Sequence, residues 1–88
     1  MNDQKILEEL LALLEARNVK IRREPLGGGG GGLASMKGEA IFFVDTQASS
    51  ADVAALGADA VRKLVDIETV YLRPEIRSFL ENDAAPAF

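Results

Sequence analysis

The chain has no cysteine, no histidine and no tryptophan. Without a thiol there is no disulfide framework, no thiolate nucleophile and no thiolate metal ligand. Without imidazole, serine-histidine and cysteine-histidine nucleophile pairs, imidazole proton shuttles and ordinary structural zinc sites are closed as well. Carboxylates, lysines, arginines, one tyrosine and a few hydroxyls remain. They form no recognisable catalytic constellation, so the chain is expected not to be an enzyme and to hold no metal or cofactor.

A block of one charge sign is also missing. Ten Lys and Arg stand against 14 Asp and Glu, a formal charge of −4, with acids and bases interleaved. That pattern argues against nucleic acid or an anionic membrane as partner. No run approaches the ~18 apolar residues of a membrane span, and Met1-Asn2-Asp3-Gln4-Lys5 opens on no leader pattern, so a soluble, cytoplasmic protein is expected.

At 88 residues the chain supports one core, and area scaling gives about 63% of its surface buried on folding. The margin is thin. Self-association, as a homodimer, would add to it.

Apolar residues at 6, 7, 10, 11, 13 and 14 oppose Lys5, Glu8, Glu9 and Glu15, which predicts a helix over 3–17, capped by Asn2 or Asp3 and ended by Asn18. From Val19 to Glu24 the period changes to two, the mark of a half-buried strand, which Pro25 stops. Six glycines, 27–32, follow. Leu33–Met36 and Ala40–Val44 flank Lys37-Gly38-Glu39 and read as a hairpin whose second arm is the central strand. Asp45-Thr46 turns the chain towards a second helix over 50–65, with Ser49 and Asp52 as its capping signature. Phe43 and Leu56 are expected in the core. Thr69–Leu72 reads as a further short strand, and Pro74 opens a last helix as its first residue.

The expected fold class is thus α+β: a two-layer sandwich with a mainly antiparallel sheet of three or four strands, two helices on it and a short C-terminal helix. Residues 1–82 would form the single domain, and 83–88 a mobile tail.

Two groups of residues invite a functional reading. The glycine tract, with Gly29 and Gly30 at its centre, stands beside Arg22 and Arg23, and amides plus guanidinium groups can hold an anion or a phosphate. However, a nucleotide-binding loop leads from a strand into a helix, whereas Leu33 begins a strand, and no Lys-Ser or Lys-Thr pair follows Gly32. The second group is Tyr71, Arg73 and Arg77 around the start of the last helix, residue types favoured where proteins meet. The bland alternative packs Tyr71 under that helix and pairs the arginines with Glu75 or Glu81. A non-catalytic binding or accessory module, contacting a protein partner or itself, is the first expectation; an anion-binding domain is the second.

The string Leu33-x-x-x-x-Gly38-x-x-Ile41-Phe42-Phe43-Val44-Asp45, followed by a capped helix and Val70-Tyr71-Leu72-x-Pro74-x-Ile76-Arg77-x-x-Leu80, resembles a group of small uncharacterised bacterial α+β proteins. It spans about two thirds of the chain and implies a fold, not an activity. More distantly, the order of strand, hairpin, Asp-Thr turn and helix resembles the core of minimal zinc peptidases, which carry His-Glu-x-x-His on that helix. Here the helix reads Ala55-Leu56-Gly57-Ala58-Asp59-Ala60-Val61-Arg62. With neither ligand histidines nor a general-base glutamate, the resemblance implies a metal-free scaffold.

Overall fold

The structure, a computed structural model, describes residues 1–29 and 31–82. The tail expected over 83–88 lies outside the described residues, as does Gly30. The elements run α1 (Asp3–Glu15), β1 (Lys20–Glu24), β2 (Gly31–Met36), β3 (Glu39–Asp45), α2 (Ser50–Leu64) and α3 (Pro74–Asn82). The fold is α+β, with three helices and a three-stranded mixed sheet.

Local chemistry sets the boundaries. Asn2 caps α1 by accepting the Lys5 amide at 2.9 Å, and Asn18 leaves the helix with φ of 66°, the left-handed conformation that asparagine tolerates. Ser49 caps α2 through the Asp52 amide at 3.1 Å. The hairpin turn is Lys37-Gly38, both at positive φ, the backbone twist that matches two antiparallel strands joined by two residues.

The sheet order is β1-β3-β2. β2 and β3 are antiparallel, but β1 and β3 are parallel, with Lys20 beside Ile41 and Glu24 beside Asp45. The three strands and the antiparallel hairpin agree with the expectation from the sequence, while the parallel β1–β3 pair makes the sheet mixed where a mainly antiparallel one was expected. The reason lies in β3, the most apolar strand, whose amides and carbonyls are satisfied on both sides only when it sits between two others. The connection from β1 to β2 must therefore cross the end of β3, a gap of about 10 Å at two strand spacings. The glycine tract makes that crossing.

No fourth strand forms among the described residues. Asp66 turns the chain instead: its carboxylate accepts the Glu68 amide at 3.1 Å and its carbonyl accepts the Thr69 amide and hydroxyl, each at 3.1 Å. Such a local bond competes with ladder formation.

Leu7, Leu10, Leu11 and Leu14 of α1 and Val53, Ala54, Ala58 and Val61 of α2 share one core with Phe42 and Val44 of β3 and with Ile76 and Leu80 of α3. Gly57 faces this core with room for one methyl group: a Cβ placed on it would make ordinary contact, 3.6 Å from Leu10 Cδ1 and 3.8 Å from Phe42 Cζ. The alternation of β3 turns Phe42, wholly buried, towards the helices, so that Phe43 points away and is only half-buried. Leu56 is also half-buried, at the margin of the core. Both positions correct the packing register expected from the sequence.

Candidate functional site

Because α1 and α2 pack together on the Phe42 side, and α3 touches only α1 and α2, no helix among the described residues covers the other face of the sheet. Cross-strand register places Lys20, Arg22 and Glu24 of β1, Glu39, Ile41 and Phe43 of β3, and Gly32, Ala34 and Met36 of β2 on that face. Ile41, buried at 6% exposure, and half-buried Phe43 form its apolar centre. Lys20 pairs with Glu39 at 3.1 Å and Arg22 with Glu24 at 2.6 Å along the β1 side, and the Arg22 guanidinium stands 5.8 Å from the centre of the Phe43 ring. On the β2 side no charge is present, and Met36 is 49% exposed. The face is therefore asymmetric, ionic along β1 and apolar towards β2.

A second region lies at the carboxyl ends of the parallel pair. There the glycine tract is tied to the turn after β3. The buried carboxylate of Asp45 accepts the amides of Leu26 and Gln47, each at 2.9 Å, while Gln47 Oε1 accepts the Gly27 amide at 2.6 Å. The Thr46 amide donates to the Glu24 carbonyl at 3.0 Å. These acceptors already hold the Gly27 amide of the tract and the Leu26 amide before it. Gly31 needs to be glycine, since its φ is +87° and a Cβ there would overlap the carbonyl of Phe43; Gly29 faces open space.

Arg22 and Arg23 do not converge. Successive residues of a strand face opposite sides, so Arg22 lies on the open face and Arg23 on the helix side. Arg23 lines a hollow of about 210 Å³ together with Gln4, Asp45, Thr46 and Ser50, above Leu7, Leu11 and Val53. Ser50 Oγ donates to Gln4 Oε1 at 2.7 Å across its rim, joining the beginnings of α1 and α2.

Tyr71, Arg73 and Arg77 are divided as well. Tyr71 is 85% exposed and does not pack under α3. With Arg73 it borders a hollow of about 270 Å³ between α1 and α3, floored by Ala12, Leu13 and Ile76, and Arg73 Nε lies 3.8 Å from Glu9 Oε1. Arg77 is committed to the fold: Nη2 donates to the Ile67 carbonyl at 3.0 Å and Nη1 stands 3.9 Å from Glu81.

Sequence reasoning missed Gln47, Met36 and Gln4. Gln47 acts only because the tract crosses above it, and Met36 matters only because β2 is an edge. Neither fact has a local signature.

Among the described residues no helix is long and apolar enough to cross a membrane, and no three Asp or Glu side chains gather as a metal site would require. Compared with known proteins, the chain matches no family model, no curated protein and no solved structure.

Proposed function

We propose that the chain is a non-catalytic binding or accessory module that meets a protein through the uncovered side of its sheet. The observation that carries this reading is the pairing of apolar surface at half-buried Phe43 and exposed Met36 with an uncharged border at β2 and an ionic one at β1. Protein contact surfaces combine an apolar core depleted of charge with a polar rim. Cytoplasmic residence belongs to the same reading, supported by a fold that uses no disulfide. So does kinship with the small bacterial proteins and a metal-free relation to the zinc-peptidase core, both of which rest on the sequence strings and on the order hairpin then helix.

The test is differential capture. Immobilised wild type, Phe43→Asp and Tyr71→Ala, each verified as folded by circular dichroism, are exposed to the same mixture of cellular proteins and to tagged free chain. The reading expects a protein retained by wild type and by Tyr71→Ala and lost by Phe43→Asp. Equal retention by all three would refute it.

A second reading is favoured by Arg23 in the hollow beyond the ends of β1 and β3, with the polar groups of Gln4, Thr46 and Ser50 around it. Strand ends of parallel pairs are where open α/β sheets place ligands, and the ligand here would be a small anion. The Asp45 carboxylate lining the same hollow opposes an anion. Millimolar phosphate should move the amide resonances of residues 27–29 and 46–50 in wild type and not in Arg23→Ala. Unmoved wild-type resonances would eliminate this reading.

A further inference from the structure

The two outer strands of the sheet are unequal. β1 carries Lys20, Arg22, Arg23 and Glu24 and is followed by Pro25, the charged side chains and proline that keep strand edges from pairing. β2 reads Gly31-Gly32-Leu33-Ala34-Ser35-Met36 and carries no charge. Its outer edge pairs with no strand among the described residues, because the order β1-β3-β2 puts β3 on its other side.

The hairpin decides which backbone groups face outward. A two-residue turn at Lys37-Gly38 makes Met36 and Glu39 a hydrogen-bonded pair, and antiparallel pairs alternate from there. Met36, Ala34 and Gly32 therefore bond to β3, whereas the amides and carbonyls of Ser35, Leu33 and Gly31 point away from the sheet. Leu33 turns its side chain to the side on which α2 packs against β2 and is still 36% exposed, so solvent reaches this edge. Positive φ at Gly31 and Gly32 breaks the regular strand there, which leaves Leu33 to Met36 as the pairable stretch.

We propose that this edge pairs, antiparallel and across a twofold axis, with β2 of a second copy of the chain, giving one six-stranded sheet. The inference rests on the binding-module reading and names its partner. Three observations single out a second copy. Within the stretch Leu33 to Met36 the outward groups pair most fully when Leu33 of one copy faces Ser35 of the other, which puts Ala34 opposite Ala34 on the axis with four main-chain hydrogen bonds around it, against two when Leu33 faces Leu33 or Ser35 faces Ser35. In that register Met36 of each copy lies opposite Gly32 of the other, where a Cβ would meet no atom within 4 Å, and next to the Phe43 ring. The side chain left exposed on one copy thus fills the vacancy on the other, with sulfur against an aromatic ring. Finally, a chain of net charge −4 repels its own copy, and a contact centred on four uncharged residues brings no like charges together.

Four main-chain bonds and a short strand place the contact in the small, weak interface class. Dimer should accumulate only at about 100 micromolar chain or above. Sedimentation velocity across that range reads the oligomer, and Ser35→Pro should raise the dissociation constant at least ~10-fold, because it removes an outward donor and leaves the β3 ladder whole. Ser35→Lys, which puts a charge on the edge without touching the backbone, should act in the same direction. The register is read by cross-linking. The chain has no cysteine, so every disulfide of a single-cysteine variant joins two copies. Ala34→Cys should oxidise to a covalent dimer, since residues opposite in a non-hydrogen-bonded pair lie within disulfide reach, whereas Leu33→Cys should not.

A chain that stays monomeric at about 1 millimolar overturns the proposal, and so does a dimer that Ala34→Cys fails to lock. In both cases a foreign protein still lost by Phe43→Asp would leave the binding-module reading standing.

Discussion

Replacing Phe42 and Phe43 one at a time tests the packing register, because neighbours in sequence occupy opposite faces. Phe42 is wholly buried, and its ring reaches the gap that Gly57 leaves in α2. Truncation to alanine removes the transfer free energy of the ring and leaves a cavity that the close contact between α1 and α2 cannot collapse, a loss of about 3–5 kcal/mol. Phe43 is half-buried and touches solvent on the open face. Its truncation removes roughly half a side chain's burial and the stacking of Arg22, about 1–2 kcal/mol. A chain of 88 residues is stable by roughly 4–13 kcal/mol, so Phe42→Ala uses up much of that margin. The assay is urea denaturation followed by far-ultraviolet circular dichroism at fixed, low chain concentration. With a slope of about 1 kcal/mol per molar urea, the midpoint should fall by ~3–5 M for Phe42→Ala, or the variant should already be unfolded in buffer, and by ~1–2 M for Phe43→Ala. Equal shifts, or a larger loss for Phe43→Ala, would refute the assignment of Phe42 to the helix side.

Three further outcomes follow from the same structure. Gly31→Ala should cost at least about 2 kcal/mol, since positive φ and overlap with the Phe43 carbonyl both oppose a Cβ, while Gly29→Ala should change the melting temperature little; thermal melts of the pair check this. Asp45→Ala leaves the Leu26 and Gln47 amides without their acceptor and should cost about 1–3 kcal/mol, with faster hydrogen exchange at those two amides and not at Leu10. Addition of a chelator should leave the melting temperature unchanged, because the chain has neither histidine nor cysteine to build a structural transition-metal site; a chelator-induced loss of helicity would contradict that.

Much of the architecture was legible because it is local. The period of α1, the caps at Asn2 and Ser49, the left-handed Asn18, the Lys37-Gly38 turn and the proline that opens α3 are each set by residues within one or two turns of chain. The centrality of β3 was legible too, since four consecutive bulky apolar residues need cover on both faces, or on one face plus a partner. What the sequence could not state was which neighbours. Direction and order depend on where the glycine tract travels, and six residues of glycine restrict that path hardly at all. Alternation then fixed which of Phe42 and Phe43 enters the core, a choice that turns on the face the helices take and not on either residue's chemistry.

The same division holds for the candidate site. Sequence alone determined that the chain offers no imidazole or thiol chemistry and that Arg22 and Arg23 are adjacent. Tertiary structure decided that they face opposite sides of the sheet, that Asp45 and Gln47 take the Leu26 and Gly27 amides, and that the uncharged β2 lies at an edge while charged β1 guards the other. The physical reason is that a residue's type and its period are carried by covalent neighbours. Its exposure, its face and its partners are set by contacts across tens of residues, whose closure is decided only when the whole core packs.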